Sequence, residues 1–172
     1  MTVIDCGAAP GSWSQVAVKH VNSLGQDKSA LQGFVISVDL QYMVPVPGAT
    51  ILSDRDFTSA KCQKEILNHL RGQLADVVLS DMAPNATGVK SLDHDIIIKL
   101  CMSVTDFSRV VLKDSGSLLC KLWQGQDQRQ LVDRMAARFG QVKVVKPLAS
   151  RKDSAEVFVL AKDFKRDKED ET

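Results

Sequence analysis

The sequence predicts an α/β fold in which seven strands form a mostly parallel sheet, the last strand is antiparallel and helices cover both faces. Short runs rich in β-branched residues alternate with amphipathic stretches along the chain, which is typical of repeated βαβ units. Residues 147–155, between the last two apolar runs, are polar and small and leave no room for a crossover helix. The last two strands should therefore pair antiparallel.

The predicted elements follow one another in a regular order. Strands are expected over residues 3–6, 34–39, 49–52, 76–80, 117–122, 142–146 and 157–161. The spacing of apolar residues predicts helices over 13–21, 59–70, 93–112 and 127–139. Residues 162–172 carry mixed charge and are predicted to form a flexible tail.

Composition excludes several classes of protein. Hydrophobic residues make up 44% of the 172 residues and charged residues 25%, as in soluble globular proteins, and no apolar run is long enough to cross a bilayer. The four cysteines show no C-x-x-C spacing, which favours a reduced compartment. The three histidines, His20, His69 and His94, are isolated, so no metal site is expected.

The charge is unevenly distributed although the formal net charge is only +1. Residues 121–152 contain eight basic residues and two acids. This excess could follow a phosphate backbone. It could equally be a set of lysines and arginines that solvate helix and strand surfaces.

Three signals fall after successive strands, at the edge where parallel sheets bind ligands. Residues 5–13 read DCGAAPGSW, a strand that runs through small residues into a helix. Asp39 ends the second strand, where a carboxylate can accept both hydroxyls of a ribose. After the third strand Asp56 could bind an adenine amino group and Phe57 could cover the ring, unless this segment only caps the next helix. Together they favour an adenosine-containing ligand, either a nicotinamide cofactor or a methyl donor, although the G-x-G-x-x-G spacing is missing.

Polar residues at two later strand ends indicate chemistry. Asp81 follows the fourth strand and precedes a proline-containing loop. Lys121 lies in an otherwise apolar strand, where an ammonium group needs a partner, and Glu156 is a candidate together with Asp81. Alternatively, Lys121 extends to solvent from an edge position.

These segments resemble the FtsJ family of large-subunit ribosomal RNA 2′-O-methyltransferases. The segments are DCGAAPGSW, SDMAPN, KLWQG and KPxxSRxxSxE, and the resemblance runs from Met1 to about Ala161. It implies a Rossmann-like methyltransferase domain over residues 1–161 that uses S-adenosylmethionine. The LDHD stretch at 92–95 is closer to mitochondrial members, which implies the mitochondrial matrix. The implied partner is ribosomal RNA or a large-subunit precursor. The oligomeric state stays open with a monomer favoured, and no membrane insertion is expected.

The resemblance also implies the roles of individual residues. S-adenosylmethionine would be held by Gly7, Pro10, Gly11, Ser12, Trp13, Asp39, Asp56, Phe57 and Asp81. Asp81, Lys121 and Glu156 match the last three members of a Lys-Asp-Lys-Glu catalytic set, and Lys121 would take the proton from the ribose hydroxyl. Apart from the resemblance, the position of the basic residues leads us to expect that RNA phosphates are bound by Lys90, Arg151 and Lys152.

The first lysine of that set has no counterpart, so we read the sequence as truncated. We expect it to bind the donor but to methylate RNA poorly. Two other functions stay open on the residues: a non-catalytic ribosome-assembly factor that retains the donor pocket, and a nicotinamide-dependent oxidoreductase.

Overall fold

The protein is described by a computed structural model that covers residues 1–84, 87–125, 127–147 and 154–166. The chain divides into two compact units, Met1–Asp81 and Met82–Thr172. The strands form a seven-stranded sheet, accompanied by four helices in the part of the chain that is described, which confirms the predicted fold class. Among these residues no helix is long and apolar enough to span a bilayer.

The first unit is a parallel α/β layer structure. Its elements are β1 (Thr2–Cys6), α1 (Ser12–His20), β2 (Phe34–Val38), β3 (Ala49–Leu52), α2 (Ala60–Leu70) and β4 (Ala75–Ser80). The strands lie in the order β3-β2-β1-β4, and each neighbouring pair is parallel. All four carboxyl ends therefore meet at one edge, where the ligand signals of the sequence fall.

The core of this unit forms because α1 presents one apolar face to the sheet. Ala17, Val18 and Val21 pack with Val3 and Val35 of the strands. The second helix is fixed at its start, since Ser59 Oγ accepts a hydrogen bond from the Cys62 amide at 3.2 Å. Helix α1 is thus anchored to the strands that form the carboxyl edge, and helix α2 is anchored close to that edge.

The second unit pairs two helices with antiparallel strands. Its elements are α3 (Lys90–Val111), β5 (Leu112–Trp123), α4 (Gln128–Ala136), β6 (Phe139–Val145) and β7 (Glu156–Phe164). The strand β7 lies between β5 and β6 and runs antiparallel to both. The predicted antiparallel pairing of the last two strands is confirmed.

Several predicted boundaries differ from the structure, most of them by one to three residues. Strand β5 begins at Leu112 rather than at residue 117, because α3 ends at Val111 and the chain enters the strand directly. Ser115 has a φ of 60°, which lets the polar start of this strand turn without a glycine. Helix α4 ends at Ala136, before the predicted residue 139, and Phe139 instead opens β6.

The predicted flexible tail starts too early. Strand β7 continues to Phe164, whose side chain is 2% exposed and whose ring centroid lies 5.1 Å from that of Phe139. The Lys165 amide then donates to the Arg138 carbonyl at 2.8 Å, and the Arg166 amide donates to Asp114 Oδ1 at 2.9 Å. This was not predicted from sequence because Phe164 is a single aromatic residue among charged residues. Residues 167–172 lie outside the described residues.

Candidate active site

The turn after β1 brings backbone to the carboxyl edge of the first unit. The amides of Gly7 and Ala8 both donate to the Val38 carbonyl, at 2.9 and 3.2 Å. Gly7 and Gly11 have φ values of 74° and 114°, in the left-handed region that favours glycine. A Cβ on Gly11 would also lie only 3.1 Å from Val46 Cγ2. The small residues of this segment are therefore required by the backbone path.

Helix α1 begins at the same edge without a side-chain cap. It begins at Ser12, and its N-cap Gly11 provides no side-chain hydrogen bond. No acidic residue stands in the first turn, Ser12 is exposed, and Trp13 is half-buried. The helix dipole and the backbone amides of the first turn make such an end attractive to a negatively charged group.

The carboxylate of Asp39 connects two loops of the edge. Its Oδ2 accepts a hydrogen bond from the Ala9 amide at 2.8 Å, and its Oδ1 accepts one from the Gln41 amide at 2.7 Å. Each carboxylate oxygen can accept a further hydrogen bond. Asp39 is therefore oriented by the protein and still able to receive two hydroxyl groups.

The segment after β3 combines a turn with the start of α2. Asp56 Oδ1 accepts hydrogen bonds from the Thr58 amide at 2.9 Å and the Thr58 hydroxyl at 2.7 Å. Asp56 is exposed, and no hydrogen bond joins its Oδ2 to another atom of the described ranges. Phe57 is only 4% exposed, so most of its ring belongs to the core. The segment thus forms the turn and helix cap that were the alternative to ligand binding. These contacts leave one carboxylate oxygen of Asp56 for binding.

Asp81 ends the edge after β4. Its amide donates to the Cys6 carbonyl at 2.9 Å, which fixes the backbone beside the end of β1. Its side chain is half-buried. Asp81 thus shares the edge with the turn after β1.

Lys121 and Glu156 lie on adjacent strands of the second unit. Lys121 is opposite Phe158, and Glu156 is opposite Trp123. Cross-strand partners share one face of the sheet, and so do residues two apart along a strand. Lys121 and Glu156 are therefore diagonal neighbours, with their Cα atoms about 7–8 Å apart. Both are half-buried. The register places the acid expected beside Lys121 within reach of its side chain.

The residues predicted to bind RNA cannot be placed in the same way. Arg151 and Lys152 lie outside the described residues, and so does the side chain of Lys90 at the start of α3. Elsewhere in residues 121–152, Arg134 Nη2 lies 2.5 Å from Asp106 Oδ1, so part of the basic excess is neutralised locally.

The family model described as FtsJ-like methyltransferase matches residues 1–164. The chain belongs to the FtsJ-like methyltransferase family. The resemblance drawn from four segments is thereby confirmed, and the nicotinamide-dependent alternative is wrong. The sequence boundary near Ala161 falls three residues short of the family match, close to the true end of β7.

Relatives in the FtsJ-like family come from mitochondria and bacteria. The chain is 47% identical to a Drosophila melanogaster protein named rRNA methyltransferase 2, mitochondrial, over 95% of this chain and 66% of the relative. It is 44% identical to a Roseobacter denitrificans protein named ribosomal RNA large subunit methyltransferase E, over 95% of this chain and 67% of the relative. The chain therefore spans about two thirds of the length of these proteins.

A solved structure shares the fold. It is described as a ribosomal RNA methyltransferase from Plasmodium falciparum, with a TM-score of 0.80 and 23% identity over 95% of this chain and 86% of the other. At this identity the likeness concerns the fold.

No role was predicted from sequence for the side chain of Asp5. It is fully buried in β1, where its Oδ2 accepts a hydrogen bond from Ser14 Oγ at 2.6 Å, and Ser14 Oγ lies 2.8 Å from Ser37 Oγ. Its Oδ1 is buried without a hydrogen-bond partner among the described residues. The network ties α1 to β1 and β2 directly beneath the glycine turn. An acid inside an apolar strand, just before a glycine, was the available signal.

Burial raises the pKa of Asp5 from 3.8 to about 6, despite the Ser14 hydrogen bond that lowers it, and the charges of Asp81 and Asp39 raise it further. A raised folded-state pKa contributes stability that is present below the unfolded pKa and lost as the pH rises through the folded one. The free energy of unfolding should therefore fall between pH 4 and 6 by about 3 kcal/mol from this group alone.

Asp5→Asn should remove that dependence. Urea unfolding at pH 4.5 and pH 8 is expected to show a smaller pH difference for Asp5→Asn than for the wild type, with the variant more stable at pH 8. Asp133→Asn, at a side chain 71% exposed, is the control and should follow the wild type. An unchanged pH difference in Asp5→Asn would show that Asp5 does not titrate as described.

Proposed function

We propose that this chain transfers a methyl group from S-adenosylmethionine to a ribose 2′-hydroxyl, on a uridine, in large-subunit ribosomal RNA. The observation that carries the proposal is the carboxylate of Asp39, oriented by two loop amides next to an uncapped helix N-terminus. In a member of the FtsJ-like methyltransferase family, this combination suits a ligand with both a carboxylate and a ribose.

The residues of the first unit fit S-adenosylmethionine part by part. The amides at the start of α1 would receive the methionine carboxylate. Asp39 would accept the ribose hydroxyls, and Asp56 Oδ2 would accept the adenine amino group. Gly7, Pro10, Gly11, Ser12 and Trp13 would form the wall of the site, and Asp81 and the largely buried Phe57 would complete the set.

Bound S-adenosylmethionine would supply an electrophilic methyl group on its sulfonium. The chain must then hold the ribose oxygen in line and remove its proton, and positioning alone can supply a large part of the rate increase. We assign Lys121 to hold the hydroxyl and take this proton. Glu156, its diagonal neighbour, would orient the amine, and Asp81 is the second acid proposed for this set.

The proposed partner follows from the relatives and from the hydroxyl itself. Both relatives described above are named as ribosomal RNA methyltransferases, and one is named as mitochondrial. We therefore propose ribosomal RNA, or a precursor of the large subunit, as the substrate, and the mitochondrial matrix as the location. A requirement for the 2′-hydroxyl would select RNA over DNA. The reaction would support ribosome biogenesis.

Labelled methyl transfer tests the proposal. The chain is incubated with methyl-labelled S-adenosylmethionine and large-subunit ribosomal RNA, and the nucleosides are analysed by mass spectrometry after digestion. A 2′-O-methylated nucleoside is expected, formed slowly because the first lysine of the catalytic set has no counterpart in this chain, with none formed on DNA of the same sequence. Binding of both ligands without transfer would favour the assembly-factor alternative. A methylated base would contradict the assigned chemistry.

Charge reversal tests the RNA side separately. Arg151→Glu combined with Lys152→Glu should weaken RNA binding and reduce the slope of log affinity against log salt by about two, because two phosphate contacts are lost. Calorimetric affinity for S-adenosylmethionine should not change. Lys28→Glu, at an exposed lysine of the first unit, is the control. Equal effects of the two changes would show that residues 151–152 do not contact RNA.

A further inference from the structure

A pocket of about 580 Å³ lies within the second unit, between the first turns of α3 and the segment that follows β5. Trp123, His94 and Gly125 line it together with the carboxylates of Asp95 and Asp127. None of these side chains has a role in the donor site or in the proposed proton transfer. The pocket therefore needs its own explanation.

His94 is held in an unusual setting in this pocket. Its side chain is only 16% exposed, and its buried Nε2 has no hydrogen-bond partner among the described residues. The nearest acidic oxygen, Asp127 Oδ2, lies 3.7 Å away, too far for a hydrogen bond. A Cβ on Gly125 would approach His94 Cε1 to 2.2 Å, so only glycine lets the ring lie here. A buried polar atom without a partner costs stability, which a ligand group bonded to Nε2 would restore.

Trp123 gives the pocket an aromatic wall next to the proposed catalytic residue. It lies two residues after Lys121 on β5, so the two side chains project from the same face, about 6.6 Å apart along the strand. The indole is half-buried, which leaves part of it accessible. Indole faces stack well on nucleobases without requiring a particular base.

The negative charge of the pocket determines which part of a nucleotide, the base or the phosphate, can bind there. Asp95 is exposed and the side chain of Asp127 is 48% exposed, and these two acidic side chains would repel phosphate. Carboxylates and a histidine nitrogen can instead pair with the N–H groups on the edge of a base. The pocket is thus suited to a flat ring with hydrogen-bond donors and unsuited to the RNA backbone.

We propose that this pocket binds the nucleobase of the nucleotide whose ribose lies at Lys121. The base would stack on Trp123 and direct its polar edge toward His94 and the carboxylates. This inference rests on the proposed function for the identity of the nucleotide, while base binding itself can be measured without methyl transfer.

Nuclear magnetic resonance of the two tryptophan indole N–H groups tests base binding directly. The chain contains Trp13 and Trp123, and Trp123→Phe assigns the two signals. Short single-stranded RNA is expected to shift the Trp123 signal, whereas the same ribose-phosphate chain without bases should leave it in place. Gly125→Ala, which forces His94 to move, should reduce the shift. A Trp123 signal that does not respond to saturating RNA would overturn the proposal.

The second test measures the kinetics of methyl transfer to an RNA that contains the identified target nucleotide. Trp123→Ala should lower kcat/KM by about 10- to 100-fold, as expected for one lost stacking contact, and Trp123→Phe should recover most of it. On RNA that lacks only the target base, the wild type and Trp123→Ala should be equally slow. Equal losses on both RNAs would mean a merely structural role and would overturn the proposal.

The two arms separate the failure of this inference from the failure of the proposed function. Val144→Ala, at an exposed position of β6 that does not line the pocket, is the control and should match the wild type. A shifted Trp123 signal without methyl transfer on any RNA would refute the proposed function and support base binding. Methyl transfer that is unaffected by Trp123→Ala would support the proposed function and refute the pocket assignment.

Discussion

Lys121→Ala should lower the rate constant for methyl transfer by about 10²- to 10⁴-fold, the usual contribution of one positioned proton acceptor. The affinity for S-adenosylmethionine should stay within a few-fold, since the residues assigned to the donor all lie in the first unit. Single-turnover transfer to RNA and calorimetry with the donor measure the two quantities. A large loss of rate with little loss of donor affinity would assign Lys121 to the chemical step and not to donor binding.

The matched control for Lys121→Ala is Lys143→Ala, which removes an exposed lysine from β6 of the same unit. It should keep the wild-type rate. If Lys121→Ala retained the rate within a few-fold, the assignment of Lys121 as the proton acceptor would be wrong. A parallel loss of donor affinity would instead indicate damage to the fold.

Asp39→Asn should weaken donor binding by about a hundredfold. The change keeps the shape of the side chain but removes its charge, and it replaces one acceptor oxygen with a donor. That donor would face the amide of either Ala9 or Gln41, and the remaining oxygen could not serve both amides and both ribose hydroxyls. Hydrogen bonds to a charged group contribute about 1.5–3 kcal/mol each, which gives the expected size. Calorimetry with S-adenosylmethionine measures it.

Asp54→Asn is the control for Asp39→Asn because it removes an exposed carboxylate from the same edge of the sheet. Its effect on donor affinity should be small. Equal losses in both variants would mean that the general negative charge of the edge matters and that the paired hydrogen bonds of Asp39 do not. A donor affinity that survives in Asp39→Asn would remove the main support for the donor site.

Strand positions in the first unit follow closely from sequence, because buried parallel strands are short apolar runs bounded by turns. The predicted range 49–52 coincides with β3, and the predicted start of Phe34 holds for β2. The junction of α3 with β5 could not be predicted in this way. Its residues Lys113 and Asp114 are exposed and polar, so they resemble a loop although they belong to a strand.

The parts of the site that are adjacent in sequence were predictable, whereas those assembled by folding were not. Asp39 and Asp81 were found because each directly follows a strand, and Asp56 because it lies in the loop after β3. Their assignment as site residues stays a prediction. The contact of Gly125 with His94 joins positions that no periodicity connects, and its only trace is a glycine after a strand. Similarly, the serines that hold Asp5 look like exposed polar residues until α1 is placed on the sheet.

The twofold engagement of Asp39 has a consequence for binding of the proposed donor. Because the Ala9 and Gln41 amides already hold the carboxylate, the loops on either side are preorganised before a ligand arrives. Little conformational entropy of these loops then has to be lost when the proposed donor binds. The preorganised loops should therefore strengthen donor binding without having to close around the ligand.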